Sequence, residues 1–453
     1  MILLNDLIKS RDSVSNARCR SAQPLPWMQS IEAWREPRVW ATVCLGVLLL
    51  SGPLIASGAS PAAPMRLEQA LQLSATQHPS VAAKRSESMA AGRFLEAAQW
   101  QRYPTFSLSS SAGDGGNNGT TARLQQPLWT GGRITSDINA AEARVVVAEA
   151  GIGEAEQSIM LRTASAYADA LRARKRLEAA TRNLEEHQRL FDLITRRVSN
   201  EVSSLTDQTL AQGRLYQAAS EKIQFETALA NAVSILTQLV GESVSASRLV
   251  ESGDRPRRFA RVDEALQAAL EFAPQLQRLG AEETLARAEL DSRRSVLWPQ
   301  VSARLEQVNS NNNLITQNQS RALVVVEFQP GAGLGAASSI QGAAARIDAA
   351  KAGTEAARLD LTDRVRTDWN ESLALRSQVA PLRALARSTA EVTDSFLRQY
   401  TVGRKSWLDV LNAQREATQA LFSLADAEAS LLAASVRLEL YTGAFVATLK
   451  PSR

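Results

Sequence analysis

The chain has 453 residues, 45% of them hydrophobic, with 51 basic against 47 acidic side chains and a formal charge of +4. Its charges of both signs are dispersed, whereas a nucleic-acid binder gathers basic residues on one face, so no nucleic-acid partner is expected. The two cysteines, Cys19 and Cys44, and the two histidines, His78 and His187, lack ligand-like spacing, which argues against metal, thiolate and imidazole chemistry.

The N-terminus reads as a secretory leader over residues 1–59. Arg35 and Arg38 precede the apolar run 43–50, and the small residues Ser57, Gly58 and Ala59 fit a cleavage site. Both cysteines fall inside this leader, so the processed chain would carry no thiol.

Two structural repeats follow, over 60–245 and 262–443. At an offset of 195, Ala70, Leu71, Pro79 and Pro104 fall on Ala265, Leu266, Pro274 and Pro299. At an offset of 202, Asp207, Ala211, Gln212, Leu236 and Gly241 fall on Asp409, Ala413, Gln414, Leu438 and Gly443. A repeat of this kind is an architectural statement before it is a functional one.

The first repeat opens with a helix expected over 67–101. Strands at 104–109 and 122–129 alternate apolar and polar residues, joined by a Gly- and Asn-rich loop at 113–120. A seam at 4/3 spacing then runs from Ile134 through Ile138, Ala141, Ile159, Ala166, Ala180 and Ile194 to Val198. A 3.5-residue repeat sustained this long supercoils neighbouring helices to the left. His187 lies on the seam and reads as a packing residue. A tight turn at 200–204 leads to a return helix over 205–240, stopped by Gly241.

Residues 246–261 read as a solvated linker containing Arg255, Arg257 and Arg258. The second repeat copies the plan: a helix at 262–297, strands at 300–306 and 322–328 around a loop at 309–319, and a long helix over 338–400. Pro381 is expected to kink that helix. A turn at Gly403 and a last helix at 407–441 precede a tail at 444–453.

Trp100, Tyr103, Trp129, Trp298 and Phe328 cluster at one end of the four strands. Strands with one apolar and one polar face, bounded by aromatics, suit a transmembrane barrel with lipid outside and water inside; a soluble sandwich is the alternative. A sheet in lipid has no free edge, and four strands are too few to enclose an interior. Several chains must therefore share one barrel, and the same symmetry arranges the helical hairpins into a ring.

The chain shows no GxxxxGK[ST], GxSxG, HExxH or CxxC pattern, so neither an enzyme nor a cofactor is expected. The residues of chemical interest lie at the two helix–helix turns. Thr206 and Asp207 follow the first; Tyr400, Lys405, Asp409 and Asn412 surround the second. In a ring of hairpins, Asp207 would accept from Tyr400 and pair with Lys405 as a latch, and Asp409 and Asn412 would line the opening, where carboxylates favour cations. The alternative is helix capping, worth roughly 0.5–2 kcal/mol.

The chain resembles the TolC family of outer-membrane efflux and secretion proteins over about residues 67–443. The resemblance is carried by the openings at 67–71 and 262–266, each followed by a proline, and by Tyr103-Pro104 and Trp298-Pro299 before strands. Residues 126–133, Tyr400-Thr401-Val402-Gly403 and 408–414 add to it. It implies a mainly α fold with a small β part: a trimer whose twelve-stranded outer-membrane barrel, four strands per chain, continues into a long periplasmic α-helical coiled-coil barrel. It also implies a passive exit duct fed by an inner-membrane ABC exporter or proton-driven pump, through a periplasmic adaptor (membrane fusion protein) that docks on the turns at Asn200, Glu201, Val402, Gly403 and Arg404.

By the same resemblance Asp409 matches an entrance aspartate, and Asn412 stands where a second aspartate is usual. Thr206, Asp207, Tyr400 and Lys405 match the gate network, with Lys in place of Arg. Glu201 occupies the place of a usual glycine. The stretches 197–203 and 329–334 are similar to members serving type I secretion of large adhesins. A competing reading, a periplasmic coiled-coil adaptor or scaffold, explains the helices but not the two strand pairs.

Overall fold

The computed structural model describes residues 64–445, apart from 114–116, 252–254, 313–314, 330, 332 and 334. The expected leader, the tail beyond 445, the tips of both strand connections and part of the 329–334 turn lie outside the described residues. So do both cysteines.

The chain builds one plan twice. The helices are α1 (Leu67–Gln77), α2 (Pro79–Trp100), α3 (Arg133–Ser199), α4 (Leu205–Val240), α5 (Val262–Phe272), α6 (Pro274–Ser295), α7 (Gly335–Thr401) and α8 (Trp407–Tyr441). The strands are β1 (Thr105–Gly113), β2 (Asn117–Trp129), β3 (Gln300–Asn312) and β4 (Ile315–Glu327). Each long helix, α3 and α7, has 67 residues, about 100 Å at 1.5 Å per residue.

The opening helix of each repeat is broken in two, where a single helix is expected. Pro79 and Pro274 occupy the first turn of α2 and α6, and the residues before them, His78 and Ala273, are extended at ψ 133° and 109°. Proline lacks the N–H that a continuous helix needs and pushes its predecessor out of helical geometry. His78 is thereby recruited as a cap: its Nδ1 accepts from the Ser80 N–H at 3.2 Å. Pro381 behaves otherwise, for α7 continues across it.

The strands outrun the sequence expectation. They extend to Gly113, from Asn117, to Asn312 and from Ile315, so the expected long loops at 113–120 and 309–319 shrink to three and two residues outside the strands. The sheet runs β1-β2-β3-β4 with every neighbour antiparallel. Thirteen residues in each of β2, β3 and β4 reach roughly 44 Å, more than a bilayer's hydrocarbon core.

Three levels of packing hold the helices. Near the sheet, Ala98 of α2 packs on Ile134, Ile138 and Ala141 of α3. At mid-height, Leu67, Leu71, Tyr167, Leu236, Val240, Leu440 and Phe445 form the largest apolar cluster. At the far end, Leu190, Ile194, Ala211, Tyr400, Trp407 and Val410 join the two hairpins. Alanine dominates the buried face of α3, which lets helix axes approach closely. At mid-height the Tyr167 hydroxyl donates within reach of two backbone carbonyls, Met65 at 2.9 Å and Val250 at 2.8 Å. This ties the start of the described chain to the linker.

Candidate functional site

The sheet separates its residues by parity. Phe106 and Leu108 of β1, Leu124 of β2, Leu305 of β3 and Val324 and Val326 of β4 share one face by register, and all are exposed. Among the described residues no helix lies across that face. The opposite face carries Thr105, Ser107, Ser109, Arg123, Gln125, Ser302, Arg304, Glu306 and Arg321, with Leu323 and Val325 among them. One face is suited to lipid and the other to water.

The five aromatics meet where the sheet joins the helices. Trp100 and Tyr103 lie with ring centroids 5.0 Å apart, and Trp129 and Trp298 stack edge to face at 6.3 Å. Phe328 follows β4 directly, and all five are exposed. The close approach of the repeats here depends on Gly131. Its φ is +60°, and a Cβ there would overlap Trp298.

At the sheet's centre Glu306 is almost enclosed by arginines. Its carboxylate accepts from Arg123 Nε at 2.8 Å and Arg321 at 3.4 Å, with Arg304 at 3.8 Å. Arg304 also donates to Gln125 at 3.2 Å. Sequence reasoning passed over this cluster, because its members come from three strands and only the register brings them together.

At the far end the two turns share one geometry. Val202 N–H bonds Arg197 carbonyl at 2.8 Å and Glu201 N–H bonds Val198 at 3.0 Å; Arg404 N–H bonds Gln399 at 2.9 Å and Gly403 N–H bonds Tyr400 at 3.0 Å. This pair of hydrogen bonds closes a helix through one left-handed residue. Gly403 supplies it at φ +76°, and Glu201 supplies it at φ +60°. A side chain at that conformation costs on the order of 1 kcal/mol. Asn200, Glu201, Val402, Gly403 and Arg404 are all exposed.

Ser204 and Ser406 then cap α4 and α8, each accepting at 3.1 Å from the N–H of Asp207 and Asp409 respectively. Asp409 returns the bond, its carboxylate accepting from Ser406 N–H at 3.1 Å. Hydrogen bonds from Ser406, with Lys405 beside it, hold the Asp409 carboxyl below its usual range. Asn412 is exposed one turn further along, and Thr206 is exposed beside Asp207.

Within one chain the expected latch is drawn differently. Tyr400 Oη lies 3.2 Å from Ser203 Oγ, not on Asp207. Arg197 donates to the same Ser203 at 3.3 Å and lies 4.9 Å over the Tyr400 ring. Lys405 Nζ sits 4.3 Å over the Phe396 ring, and Asp207 forms no ion pair with it among the described residues. Arg197, Ser203 and Phe396 thus belong to the tip. The stretch 197–203, singled out in the sequence by resemblance alone, holds Arg197 and Ser203; their contact with Tyr400 had no sequence signal. His187 is buried, and burial pushes it down to about 4, so it packs as a neutral ring.

The model of the outer membrane efflux protein family matches residues 70–242 and 265–444. The chain belongs to the outer membrane efflux protein family. Among curated proteins it is 25% identical to the alkaline protease secretion protein AprF of Pseudomonas aeruginosa, over 72% of this chain and 69% of that one. It is also 25% identical to the cobalt-zinc-cadmium resistance protein CzcC of Cupriavidus metallidurans, over 79% and 85%. Solved structures share its fold. The outer membrane protein VceC of Vibrio cholerae matches at TM-score 0.70 and 16% identity, covering 83% of this chain and 96% of that one. The MtrE outer membrane channel of Neisseria gonorrhoeae matches at 0.67 and 15%, covering 84% and 89%.

Members of this TolC-like family are non-enzymatic conduits that form trimers in the outer membrane of Gram-negative bacteria, with a large periplasmic helical domain. This protein is accordingly an outer-membrane efflux channel of the tripartite-efflux or type I secretion kind. A trimer resolves what the single chain leaves open, the unpaired edges of β1 and β4. The exposed apolar residues Tyr216, Ile223 and Ile235 of α4 and Leu359 and Val392 of α7 also stand without cover in one chain.

Proposed function

We propose that this channel is the exit duct of a type I secretion system: an inner-membrane ATP-driven exporter supplies the energy, and a periplasmic adaptor docks on the exposed turns at Asn200, Glu201, Val402, Gly403 and Arg404. The likeness to AprF, whose name assigns it to secretion of alkaline protease, carries this reading. The arginines on the sheet's water-suited face support it further, since they disfavour passage of free divalent cations.

In the assembled ring Asp409 and Asn412 line the entrance. Asp207 and Thr206 come to Tyr400 and Lys405 of a neighbouring copy, giving the latch that one chain does not make. Trp100, Tyr103, Trp129, Trp298 and Phe328 mark the periplasmic membrane interface.

The likeness to CzcC favours a second reading, cation efflux through a proton-driven pump. Deleting the gene separates the two. Loss of a polypeptide from the culture medium with unchanged cobalt, zinc and cadmium tolerance supports secretion. Cation sensitivity with an intact secreted fraction supports efflux.

A further inference from the structure

We propose that Arg123, Arg304 and Arg321, gathered around Glu306, form an anion-binding ring inside the barrel that takes carboxylate groups of the passing cargo. The proposal rests on the channel reading and on cargo that carries carboxylates, as the secretion reading supplies.

Three of the four residues lie at one level, and Arg304 sits two residues along β3. Arg123 is the seventh of 13 residues in β2, Glu306 the seventh of 13 in β3, and Arg321 the seventh of 13 in β4. Arg123 pairs with Glu306 across β2–β3, and Glu306 with Arg321 across β3–β4. Midway along a spanning strand, charge belongs to the lumen and not to lipid.

The charges do not cancel. Three arginines against one glutamate leave +2 per chain, and a trimer sets nine arginines against three glutamates. The other charge that register places on this face, Glu327, is six residues further along β4 at the aromatic end. In a closed barrel β4 meets β1 of the next copy, and β1 offers this face only Thr105, Ser107, Ser109 and Ser111. Nothing there neutralises Arg321.

Hydrogen bonding is equally unbalanced. A carboxylate has about four acceptor sites, whereas three guanidinium groups hold about fifteen N–H donors. Glu306 is 8% exposed and used up, while Arg123 and Arg321 remain 41% and 45% exposed. Arg304 Nε is buried without a hydrogen-bond partner. The ring therefore presents surplus planar donors of the geometry that grips carboxylates in pairs.

The test uses the purified full-length trimer. Hexaglutamate is added to the barrel side in planar bilayers, and its binding to the detergent-solubilised trimer is read by titration calorimetry, which needs no current. Hexaglutamate should bind and block where hexalysine does not. In the R123Q/R321Q variant its half-blocking concentration should rise by roughly tenfold or more. The R123K/R321K variant, which keeps the charge, should retain part of the block, and single R321Q should lie between if the double variant fails to assemble. Equal block by both peptides, or unchanged affinity in R123Q/R321Q, overturns the ring. Absence of any conductance while calorimetric binding persists would contradict the channel reading and leave the ring standing.

Discussion

Tyr400 Oη lies 3.2 Å from Ser203 Oγ, a bond that joins the end of α7 to the turn between α3 and α4. It links the two hairpins of one chain at the tip, and Arg197 reinforces it from both sides: a hydrogen bond to the serine and a cation over the tyrosine ring. Tyr400→Phe and Ser203→Ala should each loosen the tip at a cost of about 0.5–1.5 kcal/mol. Single-channel conductance should rise in both. Conductance equal to wild type would show that the bond fixes the turn without governing passage.

Asp207 and Lys405 test the contact between copies. Asp207→Ala and Lys405→Ala should both raise conductance if they meet across the trimer. A lower melting temperature with unchanged conductance in Asp207→Ala would assign that carboxylate to the start of α4 alone, where an acidic residue is favoured by the helix dipole.

Asp409 carries a pH prediction. Its carboxyl is held low by Ser406, so the charged form is favoured in the folded state. Any stability it contributes is present above the ordinary aspartate range and is lost only as pH falls through its own, lower value. Cation preference at the entrance should therefore persist below the pH at which a free aspartate is half protonated, and Ser406→Ala should bring its loss to higher pH. Reversal potentials measured from neutral to acid pH decide this. A loss at the ordinary aspartate pH in both forms contradicts it.

Tyr167 makes the corresponding case for the mid-height core. It is fully buried, and burial pushes its phenol up to about 12. Tyr167→Phe removes the donor to the Met65 and Val250 carbonyls, and since the Val250 N–H still bonds the Met65 carbonyl it should cost about 0.5–1.5 kcal/mol. The wild type binds this proton more tightly when folded, so stability is full below pH 10 and falls as pH rises between 10 and about 12. Denaturant melts across that window should show the fall in the wild type and its reduction in Tyr167→Phe.

At the junction with the sheet, Gly131→Ala should be poorly tolerated. The new methyl would overlap Trp298 and also occupy a left-handed conformation. Heat-resistant trimer on gels should diminish sharply. Gly132→Ala, which meets the conformational cost but no neighbour, should be milder, and equal yields for both would contradict the packing argument.

Much of this architecture is written in local chemistry. The unbroken heptad seam from Ile134 to Val198 and the paired signals Ser204 and Gly241 bound α3 and α4 because spacing and caps are properties of the chain itself. The strand ends are not written that way. Residues 109–113, 117–121, 308–312 and 315–319 are rich in Ser, Asn, Gln and Thr. Beyond the lipid both faces of a strand meet water, and the period of two disappears. The split at Pro79 and Pro274, where single helices are expected from the apolar pattern, follows from the missing proline N–H. The arginines around Glu306 were not legible, since each strand shows only isolated charges until the register is known. At the tip, sequence alone points Tyr400 at Asp207; the shared turn geometry brings Ser203 nearer.

The central claim is a conduit built by three copies. Its most direct test is planar-bilayer conductance of the purified protein together with its oligomeric mass in detergent. A trimer that inserts and conducts is the predicted result. A monomer that never inserts would contradict the account.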